Sequence, residues 1–353
     1  MQINKLQISN LRNLKRVEIE PHPGLNVLYG GNGAGKTSVL ESIVILSRGR
    51  SFRTTQAADL LGPEGKTFQV FAETQRRNAQ PSRIGIERSG KHWRARKDGL
   101  DLSQLSHLTR ALPVVVMEPN SHLLVSGAPE VRRKFLDWGM FHVEREFLKV
   151  WSGFSKALKQ RNAALRHKQQ DVLESIDSVF CKTGLRLDKL RKAHSDAISD
   201  RLGVLLTELS PGLESIRVEY KKGWSKETLE DSLLAGREND LVKGVTGSGP
   251  HRADLVFHYR GTSARAVMSR GEHKILAAAL LLAQSEILAE CDQTPVVILD
   301  DLASEFDSDH FDSVLRRALI KAGQVWVSGT VLPNLKQEHK MFHVKHGTVT
   351  EVV

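Results

Sequence analysis

A glycine-rich loop between an apolar segment and a helix-like segment is the feature that most constrains how this 353-residue chain can fold. The loop reads GGNGAGKT and fits the pattern G-x-x-x-x-G-K-[ST]. It follows PGLNVLY and precedes SVLESIVILSRG, in which apolar residues recur at helical spacing. Glycines let backbone N–H groups approach an anion, and a helix N-terminus adds a positive dipole end. This strand–loop–helix pattern predicts a phosphate-binding loop in an α/β domain, made of Gly30, Gly31, Asn32, Gly33, Ala34, Gly35, Lys36 and Thr37.

Two side chains of this loop indicate which phosphate compound it binds. We expect Lys36 to reach the β- and γ-phosphates of ATP and to act in catalysis, and the Thr37 hydroxyl to ligate Mg²⁺. A flexible turn that contains a lysine by chance is the alternative. The strand and helix patterns on either side of the loop favour nucleotide binding.

A pair of acidic residues ends an apolar run near the C-terminus. The run VVIL reads as a buried strand, and Asp300 and Asp301 follow it directly. Two adjacent carboxylates are costly to bury without a cation. We therefore predict that Asp300 belongs to the magnesium shell and that Asp301 polarises the attacking water as a general base. An ordinary turn after a strand is the alternative.

The tetrapeptide SRGE stands at the start of the longest apolar helix pattern, which leads into the Asp300 strand. Ser269 and Gly271 can offer a hydroxyl and N–H groups to a phosphate, or Ser269 can simply cap the helix. The position is similar to that of the signature motif of ABC-type ATPases. That resemblance implies that Ser269 and Gly271 complete the ATP site of a second subunit, so that two ATP molecules hold a dimer together.

An ordered set of segments along the chain resembles the RecF family, which is related to the Rad50 and SMC heads. The segments are LQISNLRNL, GGNGAGKT, GRSFRT, APEVRRKFLD, GPHRADL, SRGEHK and VVILDDLASEFD. The resemblance implies an α/β fold, namely an ABC-type, Rad50-head-like P-loop ATPase domain with an inserted helical subdomain. One departure is that Glu272 and His273 stand where the family signature usually has two glutamines.

The domain organisation follows from changes in sequence pattern. We expect the ATPase domain to comprise residues 1–125 and 245–353, with a β-meander at about 65–105. Residues 126–244 are expected to form an inserted, mainly helical lobe. Gly184 interrupts the apolar periodicity there, which predicts two or three antiparallel helices broken at that glycine.

The net charge of +10 and a pI near 9.6 favour a polyanionic partner. Between Ala128 and Leu205 there are 16 Lys and Arg against 10 Asp and Glu, so the excess is concentrated in the helical lobe. Such a surface suits sequence-independent contacts to DNA phosphates. The candidate DNA-binding residues are Arg132, Arg133, Lys134, Arg50 and Arg53.

Each of these candidates has an alternative. The cluster from Arg132 to Lys134 could be a solvated helix face or could form salt bridges to Glu130 and Asp137. Arg50 and Arg53 flank a phenylalanine just after the loop helix, and the sequence leaves open whether they contact DNA or nucleotide.

The RecF resemblance implies an ATP-dependent homodimer that binds duplex DNA, single-strand gaps and ss/ds junctions, and that helps RecO and RecR load RecA. It implies slow, regulatory ATP hydrolysis stimulated by DNA. The N-terminus lacks the apolar core of a signal peptide, no stretch approaches the ~18 apolar residues of a membrane span, and two distant cysteines suit a reducing compartment. We therefore expect a cytoplasmic protein without a membrane partner.

Three other classes of protein remain to be weighed. A transporter-type ABC ATPase subunit would carry a histidine at the end of QVWVSGT, where this chain has serine and threonine. A short SMC-like chromosome protein would need a long coiled coil, for which the region between Gly35 and Ser269 is too short. An ATP-dependent nuclease of the overcoming-lysogenisation type would need an acidic nuclease domain, and the sequence offers no such segment.

Overall fold

The computed structural model describes residues 1–62, 65–77, 79–90, 92–330, 335 and 337–352. Strands are numbered in chain order. They are β1 Gln2–Leu11, β2 Leu14–Ile19, β3 Leu25–Tyr29, β4 Thr67–Gln75, β5 Ser82–Ser89, β6 His92–Lys97, β7 Leu100–Asp101, β8 Val114–Met117, β9 Arg217–Lys221, β10 Asp254–Tyr259, β11 Thr262–Ser263, β12 Val296–Leu299, β13 Gln324–Gly329, β14 His339–Lys345 and β15 Thr348–Val352.

The α-helices are numbered in the same way. They are α1 Lys36–Arg48, α2 Ser106–Ala111, α3 Leu123–Ser126, α4 Pro129–Val143, α5 Phe147–Arg166, α6 Leu173–Leu209, α7 Leu229–Lys243, α8 Ala264–Val267, α9 Arg270–Glu290 and α10 Ser308–Lys321. Among the described residues, no helix combines the length and the apolar character that a bilayer span requires.

The chain divides into two compact units. One comprises Met1–Ser121 and Leu281–Val353, and the other comprises His122–Leu280. The first boundary lies close to the expected residue 125, but the second lies well beyond the expected residue 245. The reason is that β10 pairs with β9 in antiparallel register, with Leu255 opposite Tyr220. This pairing places the strand after residue 245 in the same unit as the helices.

The first unit contains a six-stranded sheet in the order β15-β14-β3-β13-β12-β8. The strands from β14 to β8 in this order are parallel, and every residue of β12 and β13 is buried. Apolar runs without alternation, such as VVIL, are typical of strands covered on both faces. Because β3, β12 and β13 are parallel, the residues that follow each of them meet at one edge of the sheet.

A second six-stranded sheet of this unit is antiparallel and has the order β2-β1-β4-β5-β6-β7. Strands β4 to β7 cover the region where the sequence alternates between about 65 and 105; residues 78 and 91 of that region lie outside the described residues. Helix α1 packs against strands of both sheets, among them β4 and β13. Eleven of its thirteen residues are buried, so the core fixes the helix that follows the glycine loop.

The second unit consists of α3 to α8, the N-terminal half of α9 and a three-stranded sheet in the order β11-β10-β9. The prediction of a break at Gly184 was wrong, because α6 runs without interruption for 37 residues. A Cβ at position 184 would lie 3.2 Å from Leu229 Cδ2 and 3.4 Å from Pro250 Cγ. Glycine therefore serves close packing here and does not end the helix.

Candidate nucleotide-binding site

The loop between β3 and α1 has backbone geometry that only glycine adopts easily. Gly30 has a φ of +150°, and a Cβ there would lie 2.2 Å from the carbonyl oxygen of Val344. Gly35 precedes α1 with a φ of +119°. These conformations turn the chain sharply from β3 into α1. The first N–H groups of α1, which have no partners within the helix, therefore face the loop.

Lys36 is the first residue of α1 and is 8% exposed. Its Nζ donates hydrogen bonds to the carbonyl oxygens of Gly30, at 2.7 Å, and Gly31, at 3.0 Å. Burial lowers the pKa of the Lys36 ammonium, while the nearby carboxylates of Asp301 and Asp300 act in the opposite direction. The ammonium is thus held inside the loop, where a bound triphosphate would place its phosphates.

Asp300 connects the end of β12 to the loop helix and to β13. Its Oδ1 accepts hydrogen bonds from Thr37 Oγ1, at 3.0 Å, and from Ser328 Oγ, at 2.7 Å. Asp300 is 4% exposed, and this burial raises the pKa of its carboxyl. The hydrogen bonds from Ser328 and Thr37 act against that rise, and the neighbouring Asp301 adds to it. The buried carboxylate therefore lies in surroundings that would gain from a cation.

The donor atoms in this cluster fit Mg²⁺, which prefers hard oxygen ligands such as carboxylate and hydroxyl. Thr37 and Asp300, the residues that the sequence assigns to this role, would hold the ion or its water shell. When bound, the ion would neutralise charge on the phosphates.

Asp301 directly follows Asp300 at the end of β12. It adopts a left-handed φ of 54°, which is uncommon for a residue with a Cβ. Its backbone N–H donates to Ser328 Oγ at 2.9 Å. Ser328, in β13, thus contacts both acidic residues, through the carboxylate of Asp300 and the backbone N–H of Asp301.

Lys36, Thr37, Asp301 and Ser328 line a cavity of about 580 Å³ within the first unit. Its lining contains most of the glycine loop and several residues that the sequence had not assigned to the site. The lining residues are Arg12, Asn13, Asn32, Gly33, Ala34, Gly35, Lys36, Thr37, Ser38, Arg53, Asp59, Leu61, Asp301 and Ser328.

Arg12 and Asn13 follow β1 and brace the loop from outside. Arg12 donates from Nε and Nη2 to the two carboxylate oxygens of Glu41, at 3.0 and 2.8 Å, and the Glu41 side chain is fully buried. Asn13 Nδ2 donates to the carbonyl oxygens of Gly33 and Ala34 at 3.2 and 3.1 Å. In the sequence these residues contributed only to the RecF resemblance, because their contact with the loop depends on the fold.

Arg50 and Arg53 differ in their surroundings. Arg53 lines the cavity, with Nη1 3.7 Å from Glu41 Oε2. Arg50 is exposed and does not line the cavity. The position of Arg53 favours contact with nucleotide over contact with DNA.

Ser269 and Gly271 lie in the second unit, at the start of α9. The Ser269 N–H donates to Glu272 Oε2 at 2.7 Å, and the Glu272 N–H donates to Ser269 Oγ at 3.2 Å. This reciprocal pair is a capping box. The hydrogen bonds from Ser269 lower the pKa of the Glu272 carboxyl. The capping role is therefore present within one chain, and the role of Ser269 and Gly271 across a dimer stays a prediction.

The structure corrects the assignment of Arg132 to a DNA-binding surface. Arg132 is 6% exposed, and its Nε and Nη2 donate to the carboxylate of Asp254 at 2.7 and 3.0 Å. Arg133 Nη1 donates to the carbonyl oxygen of Ala253 at 2.8 Å. Lys134 is exposed and forms an ion pair with Glu130 at 2.6 Å. Two of the three cations thus hold α4 to the start of β10.

Comparison with known proteins extends these observations to a family. Residues 2–350 match the family model described as RecF/RecN/SMC N terminal domain. A protein named DNA replication and repair protein RecF, from Stenotrophomonas maltophilia (strain R551-3), is 42% identical over 363 residues, covering 100% of both chains.

Two solved structures have the same architecture. One, described as the recombination mediator protein RecF-ATP in the RecFOR pathway, has a TM-score of 0.90 at 24% identity and covers 100% of this chain and 98% of its own. The other, described as RecF-ATPrS in the same pathway, has a TM-score of 0.87 at 25% identity and covers 99% and 98%. These matches confirm the predicted ABC-type P-loop ATPase fold, and with the sequence identity they lead to one conclusion: this chain belongs to the RecF family.

Proposed function

We propose that this protein is an ATP-dependent DNA-binding protein of recombinational repair that acts as a homodimer. The observation that carries the proposal is the cluster at one edge of the parallel sheet, where Lys36 and Thr37 of the loop meet Asp300 and Asp301. The relative that is 42% identical over the full length is named for DNA replication and repair. The cluster supports the dependence on ATP, and membership of the family supports the role in DNA repair.

Each residue of the cluster has a distinct role in this proposal. Loop N–H groups and Lys36 bind the phosphates of ATP, while Thr37 and Asp300 hold Mg²⁺. Asp301 accepts a proton from the attacking water, and Ser328 keeps both acidic residues in position through its two hydrogen bonds. Arg53 and Arg12 add positive charge at the cavity wall.

The site is a switch as well as an enzyme in this proposal. ATP bound to the loop of one protomer is covered by Ser269 and Gly271 of the other, so that ATP favours the dimer. Hydrolysis is slow and stimulated by DNA, and removal of the γ-phosphate lets the protomers separate. The dimer binds duplex DNA, single-strand gaps and ss/ds junctions in the cytoplasm, and it works with RecO and RecR in loading RecA.

Membership of the RecF family favours this role over a transporter-type ATPase subunit or a short SMC-like chromosome protein. The second unit consists of helices of at most 37 residues and a small sheet, which differs from the long coiled coil of an SMC arm. A transporter subunit would respond to a membrane protein and not to DNA.

Light scattering coupled to size-exclusion chromatography tests the proposal. The mass is measured without nucleotide, with ADP and with ATP, each with gapped DNA, fully duplex DNA or no DNA. We expect a dimer with ATP and a DNA complex that depends on ATP. The Lys36→Ala variant, which removes the phosphate-binding ammonium, should stay monomeric and bind DNA weakly. A wild-type protein that stays monomeric with ATP and DNA together would contradict the proposal.

A further inference from the structure

Helix α5 contains no acidic residue in its twenty positions, Phe147–Arg166, although it carries five lysines and arginines. Surface helices usually alternate charges of both signs, because i,i+4 pairs stabilise the helix. The next helix, α6, follows that rule with six acidic and six basic residues. The polar side of α5 is therefore unusual within its own unit.

Four of these cations lie on one face of α5. Lys149, Lys156, Lys159 and Arg166 are separated by 7, 3 and 7 positions, which brings residues onto the same side of an α-helix. All four are exposed, and the residues that fill the gaps at the same spacing are the small Ser152 and Ala163. The opposite face is buried, as shown by Phe147, Phe154, Ala157, Ala164 and Leu165. We call the four cations the α5 stripe.

The fifth cation of the helix, Arg161, differs from the stripe because it stabilises the interior of the unit. Arg161 is fully buried and donates to Asp177 and Asp240, each at 2.7 Å. None of the four stripe residues forms an ion pair or a side-chain hydrogen bond with any described part of the chain. Three exposed lysines elsewhere in this unit differ from the stripe in having acidic partners: Lys134 with Glu130, Lys192 with Asp196 and Lys221 with Glu219. The stripe is thus a row of charges that the fold itself does not use.

We propose that the α5 stripe is a docking surface for the phosphate backbone of duplex DNA. This inference rests on the proposed function, and it names the surface through which that function contacts DNA. A row of exposed, unneutralised cations complements a polyanion and attracts it without reading its sequence. The stripe replaces the cluster at Arg132 and Arg133, whose guanidinium groups are engaged inside the protein.

The shape of the stripe favours a duplex over a single strand. The 17 positions from Lys149 to Arg166 correspond to about 26 Å along the helix axis, most of the ~34 Å turn of B-DNA. Surfaces for single strands usually add aromatic side chains on which bases stack. The positions of the stripe carry none, because Trp151 is two residues from Lys149 and so points to another side of the helix.

The experiment compares two triple variants that remove the same charge. The stripe variant is Lys149→Gln, Lys156→Gln and Lys159→Gln. The control is Lys134→Gln, Lys192→Gln and Lys221→Gln, which removes three exposed lysines of the same unit that already have acidic partners. Fluorescence anisotropy with ATP measures binding to a 30-base-pair duplex and to a 30-nucleotide single strand between 50 and 200 mM NaCl. Circular dichroism melts and ATP binding check that each variant is folded.

The stripe variant should lose about tenfold or more in duplex affinity at 100 mM NaCl. The logarithm of the association constant falls as the logarithm of the salt concentration rises, and this negative slope should become shallower by up to ~0.9 for each lysine that contacts a phosphate. The control should keep the wild-type slope. A third variant, with arginine at the three stripe positions, should also keep it, because the charges are retained.

Two results would overturn the assignment of the α5 stripe to DNA binding without contradicting the proposed function. The first is duplex binding by the stripe variant with the same affinity and salt dependence as the wild type. An acidic protein would then be the alternative ligand of the stripe. The second is an equal loss in the stripe variant and the control, which would mean that only net charge matters. A larger loss for the single strand than for the duplex would overturn the assignment to duplex DNA. Failure of the wild-type protein to bind either DNA with ATP would instead overturn the proposed function, and the stripe with it.

Discussion

The Thr37 hydroxyl donates a 3.0 Å hydrogen bond to Asp300 Oδ1, although the two residues are 263 positions apart in the chain. This contact joins the start of the loop helix to the end of a buried strand. Both oxygen atoms are hard ligands, and the carboxylate is almost completely buried. The contact therefore marks the place where we expect magnesium to make the two segments act together.

Replacing Asp300 with asparagine should weaken the dependence of nucleotide binding on magnesium. The amide keeps the size of the side chain but removes the negative charge that the ion needs. We expect affinity for a non-hydrolysable ATP analogue to fall about tenfold or more with Mg²⁺ and to change little in EDTA. Isothermal titration calorimetry measures both. Asp309→Asn, at an exposed position of α10, is the matched control and should bind as the wild type does. An equal loss with and without Mg²⁺ would argue against a metal role for Asp300.

The Asp301→Asn variant should separate ATP binding from ATP hydrolysis. Asparagine cannot take a proton from the attacking water, so turnover should decrease by about 10² to 10⁴. Binding and dimer formation should persist, and the dimer should dissociate more slowly. A phosphate-release assay gives the turnover, and light scattering gives the lifetime of the dimer. Turnover at the wild-type rate would show that another group is the general base.

Removing the Arg132 guanidinium should destabilise the second unit strongly. The Arg132 side chain is 7% exposed and the Asp254 side chain 19%, so Arg132→Gln leaves a mostly buried carboxylate without its charged partner. We expect a loss of about 3 to 5 kcal/mol in the free energy of unfolding. Lys134→Gln, two positions away, breaks only an exposed pair and should cost less than about 0.5 kcal/mol. Urea denaturation of both variants tests this contrast; similar values would mean that the Arg132 pair contributes little.

Two glycines of α6 should respond oppositely to leucine. At Gly184 the new side chain would push into Leu229, Pro250 and Phe154, and we expect a loss of about 1 to 3 kcal/mol. At Gly203 a Cβ meets no atom within 4 Å, so the better helix propensity of leucine should leave stability unchanged or raise it by up to ~1 kcal/mol. Thermal melts compare the two variants. A stabilised Gly184→Leu protein would show that the packing at this glycine is loose.

The Glu118 carboxyl should make stability depend on pH. Burial, together with the charge of Asp300, raises its pKa to about 7 from an ordinary value of 4.5. The folded chain thus holds a proton that the unfolded chain has released, and stability decreases as pH rises through this interval. Above pH 7 the charged, buried carboxylate costs as much as ~3 kcal/mol.

The Glu118→Gln variant tests this dependence. We expect it to match the wild type near pH 4.5 and to be more stable at pH 8, in calorimetric melts recorded without nucleotide or Mg²⁺. A difference in melting temperature that stayed constant between pH 4.5 and 8 would contradict the raised pKa.

The chemistry of the site could be predicted where it depends on short segments. Local sequence patterns are enough to predict the loop from Gly30 to Thr37 and the strand before Asp300. The structure places both at one edge of the sheet. Arg12 and Glu41 could not be found in this way, because their pairing arises when β1 packs beside α1. A buried ion pair has no periodic signature in a sequence.

Two expectations failed for related reasons. Arg132 has the charge of a DNA contact, but its burial follows from the position of β10, more than a hundred residues later. Gly184 has the composition of a helix break, but neighbours from α5 and α7 require a residue without a side chain there. In both cases the residue type indicated a chemical or conformational role but not where in the fold the residue lies. The α5 stripe is the converse, since its spacing is visible in the sequence once the helix is known.

The order of strands around β3 has a consequence for how the protein is made. Both neighbours of β3 in the parallel sheet, β13 and β14, come from the last thirty or so residues of the chain. A ribosome that has released the glycine loop must still synthesise the whole second unit before either neighbour exists. The ATP site therefore assembles only after β13 and β14 have been synthesised, and until then the unpaired edges of β3 are open to aggregation.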